Sequence, residues 1–260
     1  MSPAAVASFI RHTHDGYAAA LGEHLGTTVV ALFTDEPNAL GRSPRRGPRP
    51  APYTPGLIEE AAEEWHRRGG VGDVLTWLPA LWLDLGVQGG LLREAWRRAV
   101  ERRIRRVFYG AQRSWCEEHG IALTGHPSAS EDLASLACFH WPGQDMVWRY
   151  VEPGKPTALE GKHSVAAKVA GSAAALHGKP RASAELFGAY GWRLSADEMK
   201  WLLDWHLVRG VNCVIPHASF YSIRGRRAFE SEPDFGLHSS LWPAVGALAR
   251  YARRVCALTA

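Results

Sequence analysis

No apolar run in this chain of 260 residues approaches the ~20 residues that a membrane-spanning helix requires. No membrane partner is therefore expected. The first residues, MSPAAVASFIRHTHDGY, lack the basic stretch and apolar core of a secretory leader, so a cytoplasmic protein is expected. Cysteine is scarce: Cys116, Cys138, Cys213 and Cys256 lie far apart, with no C-x-x-C pair. They read as reduced, mostly buried thiols. His12 and His14 find no matching ligands, so no zinc site is expected.

What is present is an ordinary globular composition, 46% hydrophobic and 22% charged. The length suits one sizeable α/β domain or two small ones. A net charge of +4 comes from an arginine excess concentrated in one segment, from Arg93 through Arg97, Arg98, Arg102, Arg103 and Arg105 to Arg106. That segment admits a nucleic-acid surface. Yet Leu92, Trp96, Val100, Ile104, Val107 and Ala111 recur between the arginines every three to four residues. This is the pattern of an amphipathic helix with a solvated basic face, and no nucleic-acid partner is expected.

Along the chain, Pro3 to Leu25 reads as a helix stopped by Gly26. Thr28 to Phe33 is β-branched and apolar, as a strand buried on both faces should be, and runs into Asp35 and Glu36. Residues 38 to 55, rich in proline, glycine and arginine, read as loop. A short helix is expected over Leu57 to Arg68, a packed helical excursion over Val74 to Leu85, and the long basic helix over Leu91 to His119. Then come a strand at Ile121 to Thr124 leading into His126, a helix at Glu131 to Phe139, and a strand at Asp145 to Tyr150. An alanine-rich helix over Ser164 to His177 precedes a strand at Arg181 to Glu185. Ser195 and Glu198 match a capping box, opening a helix that runs to Arg209. The strand Val211 to Ile215 runs into His217, and Trp242 to Cys256 forms the last helix.

Strands alternate with helices five times, the pattern of parallel βα units. Each strand ends near a polar residue: Glu36, His126, Tyr150, Glu185, His217. In a parallel α/β barrel that end of the strands carries the catalytic groups.

Two segments, FTDEP (Phe33 to Pro37) and ASAELFGAYGW followed by Trp201 to Ser222, resemble the catalytic barrel of α-L-rhamnosidase-type glycoside hydrolases, family 106 and its relatives. Leu123 to His126, LTGH, is similar as well. The resemblance implies a TIM-type (β/α)8 barrel that hydrolyses a terminal α-L-rhamnoside or similar glycoside with two carboxylic acids, one after the fourth strand and one after the seventh. If the strand at Thr28 to Phe33 is the fourth, Glu185 ends the seventh, and the chain supplies units four to eight only. The expectation is one incomplete barrel domain over 1–260, with an insertion-like excursion at 38–90. A second copy or a complementary chain is expected to cover its open strands. The alternative is an inactive or carbohydrate-binding remnant.

Glycoside hydrolysis needs one protonated carboxyl and one ionised carboxylate. Glu36 is the expected acid and Glu185 the expected base or nucleophile. Asp35, beside Glu36, would repel a second negative charge or cap the following loop. His126 and His217 are placed to bond sugar hydroxyls, Tyr190 and Trp192 to stack on a sugar face. Trp201 and Trp205, at helical spacing, belong to the core, and Asn212 serves hydrogen bonds inside the barrel. Calcium accompanies the family, without a ligand set that maps onto these residues. Inversion is implied, with carboxyls ~6.5–9.5 Å apart.

Overall fold

A computed structural model describes residues 1–40, 50–129 and 131–259. Residues 41–49, inside the expected proline- and arginine-rich loop, lie outside that description. Two compact units emerge. One comprises Met1–Val29 and Pro37–Gly120, the other Val30–Glu36 and Ile121–Ala260.

The first unit is helical: α1 (Pro3–Leu21), α2 (Leu57–Arg67), α3 (Val74–Trp77), α4 (Gly86–Arg103) and α5 (Gly110–Glu118). A π-helical stretch, Ile104–Tyr109, joins α4 to α5, so the basic helix is continuous and starts five residues before its expected first residue. Helix α1 ends at Leu21 rather than Leu25, because Gly22 takes φ +52° and turns the chain out of the helix. Trp65, Leu92, Ala95 and Ala80 are packed between α2 and α4. The arginines of the basic face are held by carboxylates. Glu94 binds Arg97 and Arg98, Glu60 binds Arg103 and Arg106, and buried Glu64 binds Arg67, Arg68 and Arg102. The hydrogen bond from Arg68, reinforced by Arg102 and Arg67, holds the Glu64 carboxyl at about 2.

The second unit contains a sheet of five parallel strands in sequence order, curled into a half-barrel: β1 (Ala31–Asp35), β2 (Ala122–His126), β3 (Trp141–Met146), β4 (Ser183–Leu186) and β5 (Cys213–Pro216). Helices α6 (Leu133–Leu136), α7 (Ala166–Leu176), α8 (Ala196–Leu207) and α9 (Trp242–Leu258) belong to it. Outward-facing Ala184 and Leu186 of β4 join Met199, Leu202, Leu203 and Trp205 of α8 in one apolar core. Helix α8 opens with the expected capping box, Ser195 and Glu198 bonding reciprocally.

Several expected boundaries shift. The first strand begins at Ala31, because the amides of Thr28 and Val29 donate to the His24 carbonyl in a turn. The third strand lies at Trp141–Met146 instead of Asp145 to Tyr150. Trp148 and Arg149 take φ +58° and +53°, which cannot continue a strand. Among the described residues, α6 covers only four residues of the expected Glu131 to Phe139 helix. Cys116 is buried while Cys138, Cys213 and Cys256 are only partly so, and none of the four is in a disulfide.

Candidate active site

The inner face of the half-barrel is built in layers by strand alternation. In the lower layer the hydroxyls of Thr124 and Ser183 meet at 2.9 Å. Two residues further along each strand, His126 and Glu185 meet, Nε2 to Oε2 at 2.9 Å. Between β2 and β4 runs β3, where Asp145 pairs in register with Glu185. Gly143, one layer below Asp145, has no room for a side chain: a Cβ there would stand 2.4 Å from both the Gly125 carbonyl oxygen and Ser183 Oγ.

His126 is the centre of the upper layer and is buried. Its Nε2 is 3.9 Å from Asp35 Oδ1, and its Nδ1 is 3.9 Å from Glu36 Oε1. Four carboxylates from β1, β3 and β4 thus surround one imidazole, with Phe33 edge-on to the ring at 5.5 Å. Burial opposes protonation of His126. The hydrogen bond to Glu185 and the charges of Asp145, Glu185 and Asp35 outweigh it and raise the pKa. Asp145 moves further from its ordinary value. Burial, joined by the negative charges of Glu185, Glu36 and Asp35, pushes its carboxyl up to about 7 against the pull of His126. Its Oδ1 is buried and has no hydrogen-bond partner among the described residues.

Backbone strain collects at the same ends of the strands. Glu36 follows β1 at φ +38°, Trp148 and Arg149 follow β3, and Phe187 and Ala189 follow β4 at +82° and +55°. Non-glycine residues with positive φ cost of order 1–3 kcal/mol each and cluster at functional sites. A pocket opens here, lined by Glu36, His126, Gln144, Asp145, Tyr150 and Lys162 among others.

The structure therefore brings together Asp35, Glu36, His126 and Glu185. It does not bring Tyr190 to them. That ring is buried in the core, and its hydroxyl donates to the Val151 carbonyl at 2.7 Å, so Tyr190 is a packing residue. Trp192 is part-exposed in the loop after β4, its indole N–H donating to the Ala228 carbonyl. His217 follows β5 and packs beside Gly188, where a Cβ would lie 3.2 Å from the imidazole Cγ. Asn212 bonds Ala182, Pro180 and Thr259, a wholly structural role. Trp205 is in the core, and Trp201 packs against it.

Asp145 is the residue that sequence reasoning missed. Pro142 and Gly143 disguised its strand as loop, and the acid was read at the start of a strand when it stands near the end of one. The signal was the same strand-end acid that marked Glu36 and Glu185.

His126, Asp145 and Glu185 present ligand atoms within 4.8 Å of one another, as do Asp35, Glu36 and His126. Each set offers two carboxylates and an imidazole nitrogen. Calcium takes six to eight oxygens and disfavours nitrogen, so these sets do not match it.

No protein-family model and no curated protein sequence matches the chain. A solved structure does: a rhamnosidase from Novosphingobium sp. PP1Y, with a TM-score of 0.66 at 18% identity over 99% of this chain. The chain spans 24% of that protein's length. At this identity the likeness is one of fold alone: an α/β half-barrel of parallel strands.

Proposed function

We propose that this half-barrel is a glycoside hydrolase unit acting on a terminal α-L-rhamnoside or a similar glycoside, with Glu36 and Glu185 as its two working carboxyls. The carrying observation is that these acids approach opposite nitrogens of one buried imidazole. Contacts of 3.9 and 2.9 Å cap the separation of their oxygens at about 9 Å, compatible with the ~6.5–9.5 Å of inverting enzymes. In this reading Glu36 protonates the leaving oxygen. Glu185 activates a water on the opposite face, oriented by its hydrogen bond to His126. The protonated form of Asp145 spares Glu185 a second adjacent charge.

Hydrolysis of p-nitrophenyl α-L-rhamnoside tests the proposal, with the protein alone and with any chain that completes its sheet. Glu36→Gln and Glu185→Gln are each expected to lower kcat by a hundredfold or more (about 3 kcal/mol). Asp145→Asn, isosteric with the neutral acid, should keep most of the rate. If Asp145→Asn is as inactive as Glu185→Gln while Glu36→Gln is active, the proton donor is Asp145. A wild type inactive on every glycoside tried would leave the alternative, an inactive or carbohydrate-binding remnant of such a barrel.

A further inference from the structure

The expected helical excursion, VLTWLPALWLDL from Val74 to Leu85, is packed on one face only. Helix α3 runs directly into a 3₁₀ turn, Leu78–Leu81. Val74, Trp77, Ala80 and Leu81 face inward and pack with Trp65 and Leu92. Leu75, Pro79 and Leu83, four residues apart, lie on the other face and are exposed, with Trp82 half-exposed beside Leu83. A surface helix normally carries polar residues on that face, and one that is apolar all round belongs in an interior.

Hydrogen bonds hold these side chains in one surface. The amides of Trp82 and Leu83 donate to the Pro79 carbonyl at 3.0 and 2.9 Å. Arg93 Nη1 donates to the carbonyls of Ala80 and Leu83 at 2.9 and 3.0 Å, which fixes the turn to α4. Gln88, in the first turn of α4, accepts from Val71 N–H at 3.3 Å and donates to the Gly69 carbonyl at 3.3 Å. Val71, 72% exposed, is thereby tied to the start of α4, where Leu85 and Val87 are also exposed. Val71, Leu75, Trp82, Leu83, Leu85 and Val87 together present roughly 650 Å², above the ~300–600 Å² of the largest patch on a typical monomer and near the ~800 Å² per partner of a stable interface.

We propose that this patch is a two-fold interface between two copies of this chain. Charge decides the occupant. Residues 69–92 contain two aspartates, Asp73 and Asp84, and no lysine or arginine. A segment that enters a lipid surface surrounds its apolar face with cations, whereas this one would set Asp84, 89% exposed, against the headgroups. At the rim Arg93 stands 3.9 Å from Asp84, so the edge of the patch carries both signs and has little to offer a strongly charged partner. A two-fold axis lays the same surface of each copy on the other: apolar centre meets apolar centre, and both charges are available on either side of the rim. The patch belongs to the helical unit, the open strand edges to the other. The inference is therefore separate from edge pairing and from the hydrolase reading.

Amide hydrogen exchange of the whole protein, read by mass spectrometry between about 1 and 200 µM, tests this, because mass action populates a dimer as concentration rises. Residues 71–87 are expected to gain protection with concentration, to the same extent at low and high salt, since apolar burial is not screened. The double variant Leu75→Glu, Leu83→Glu puts two carboxylates into the centre of the patch at positions that the single chain leaves exposed. With an unchanged circular dichroism spectrum, it should lose that protection and raise the dissociation constant by about a hundredfold or more in sedimentation velocity. The wild-type measurement stands by itself if the variant does not fold. Protection that does not change at 71–87, or that grows only at β1 or β5, overturns the proposal, as does a folded double variant that keeps the protection. Co-sedimentation of the wild type with phosphatidylcholine–phosphatidylserine vesicles, lost in the double variant, would assign the patch to a lipid surface and overturn it as well. None of these readouts depends on whether the protein hydrolyses a glycoside.

Discussion

Asp145 and His126 make the half-barrel's titration unusual. In the unfolded chain Asp145 ionises near its ordinary 3.8, in the folded chain at about 7. Between those values the folded state holds the extra proton, so stability falls as pH rises across the window, by at most about 4 kcal/mol. His126, whose folded pKa is raised, works in the same direction, its stabilising proton being lost as pH climbs past that value. The expected outcome is a melting temperature lower at pH 8 than at pH 5, with a much flatter profile for Asp145→Asn. Equal slopes for the two proteins would place the titration elsewhere. Glu36, His126 and Glu185 were legible one at a time, because each follows an apolar run at a strand end. That Glu185 bonds the histidine of a strand two places away was not legible. A hydrogen bond across 59 residues leaves no local pattern.

At the scale of elements, periodicity and breakers located most helices and four of the five strands to within a few residues, and misplaced β3. Helix α8 announced itself by its capping box. Strand β3, Trp141–Met146, contains proline and glycine, and Gly143 is there because of a neighbour rather than a turn. Gly125 is similar: at φ +111° its Cβ would stand 2.0 Å from the Thr34 carbonyl oxygen. Close packing of β1, β2 and β3 requires both positions bare. Gly125→Ala and Gly143→Ala are each expected to destabilise the protein by about 3 kcal/mol or more, read by urea unfolding. Gly178→Ala, with nothing near its Cβ position, should cost only the strain of its φ of +59°. Loss of stability no greater at Gly143 than at Gly178 would refute the packing argument.

For the whole molecule, the five-strand order leaves β1 and β5 each with a partner on one side only among the described residues. Open parallel edges template association. We expect concentration-dependent oligomers by light scattering, or capture of a chain that supplies further strands. Ile215→Lys on β5, which puts a charge on that edge, should shift the distribution toward monomer. A wild type that stays monomeric at every concentration would mean the edges are blunted in some other way. No helix is long and apolar enough to cross a membrane among the described residues, in agreement with the composition.

By itself the sequence determined five βα units in order, the parallel direction of their strands, and acids and imidazoles at the strand ends. These are local properties: alternation, capping residues and glycine stops act within a few positions of each other. Only the tertiary structure decided that four carboxylates share one histidine, that Asp145 is among them, and that Tyr190 belongs to the core. Those outcomes depend on strand register and on how closely Gly125 and Gly143 let neighbouring backbones approach. A one-residue slip in register would turn each of these side chains to the opposite face of the sheet.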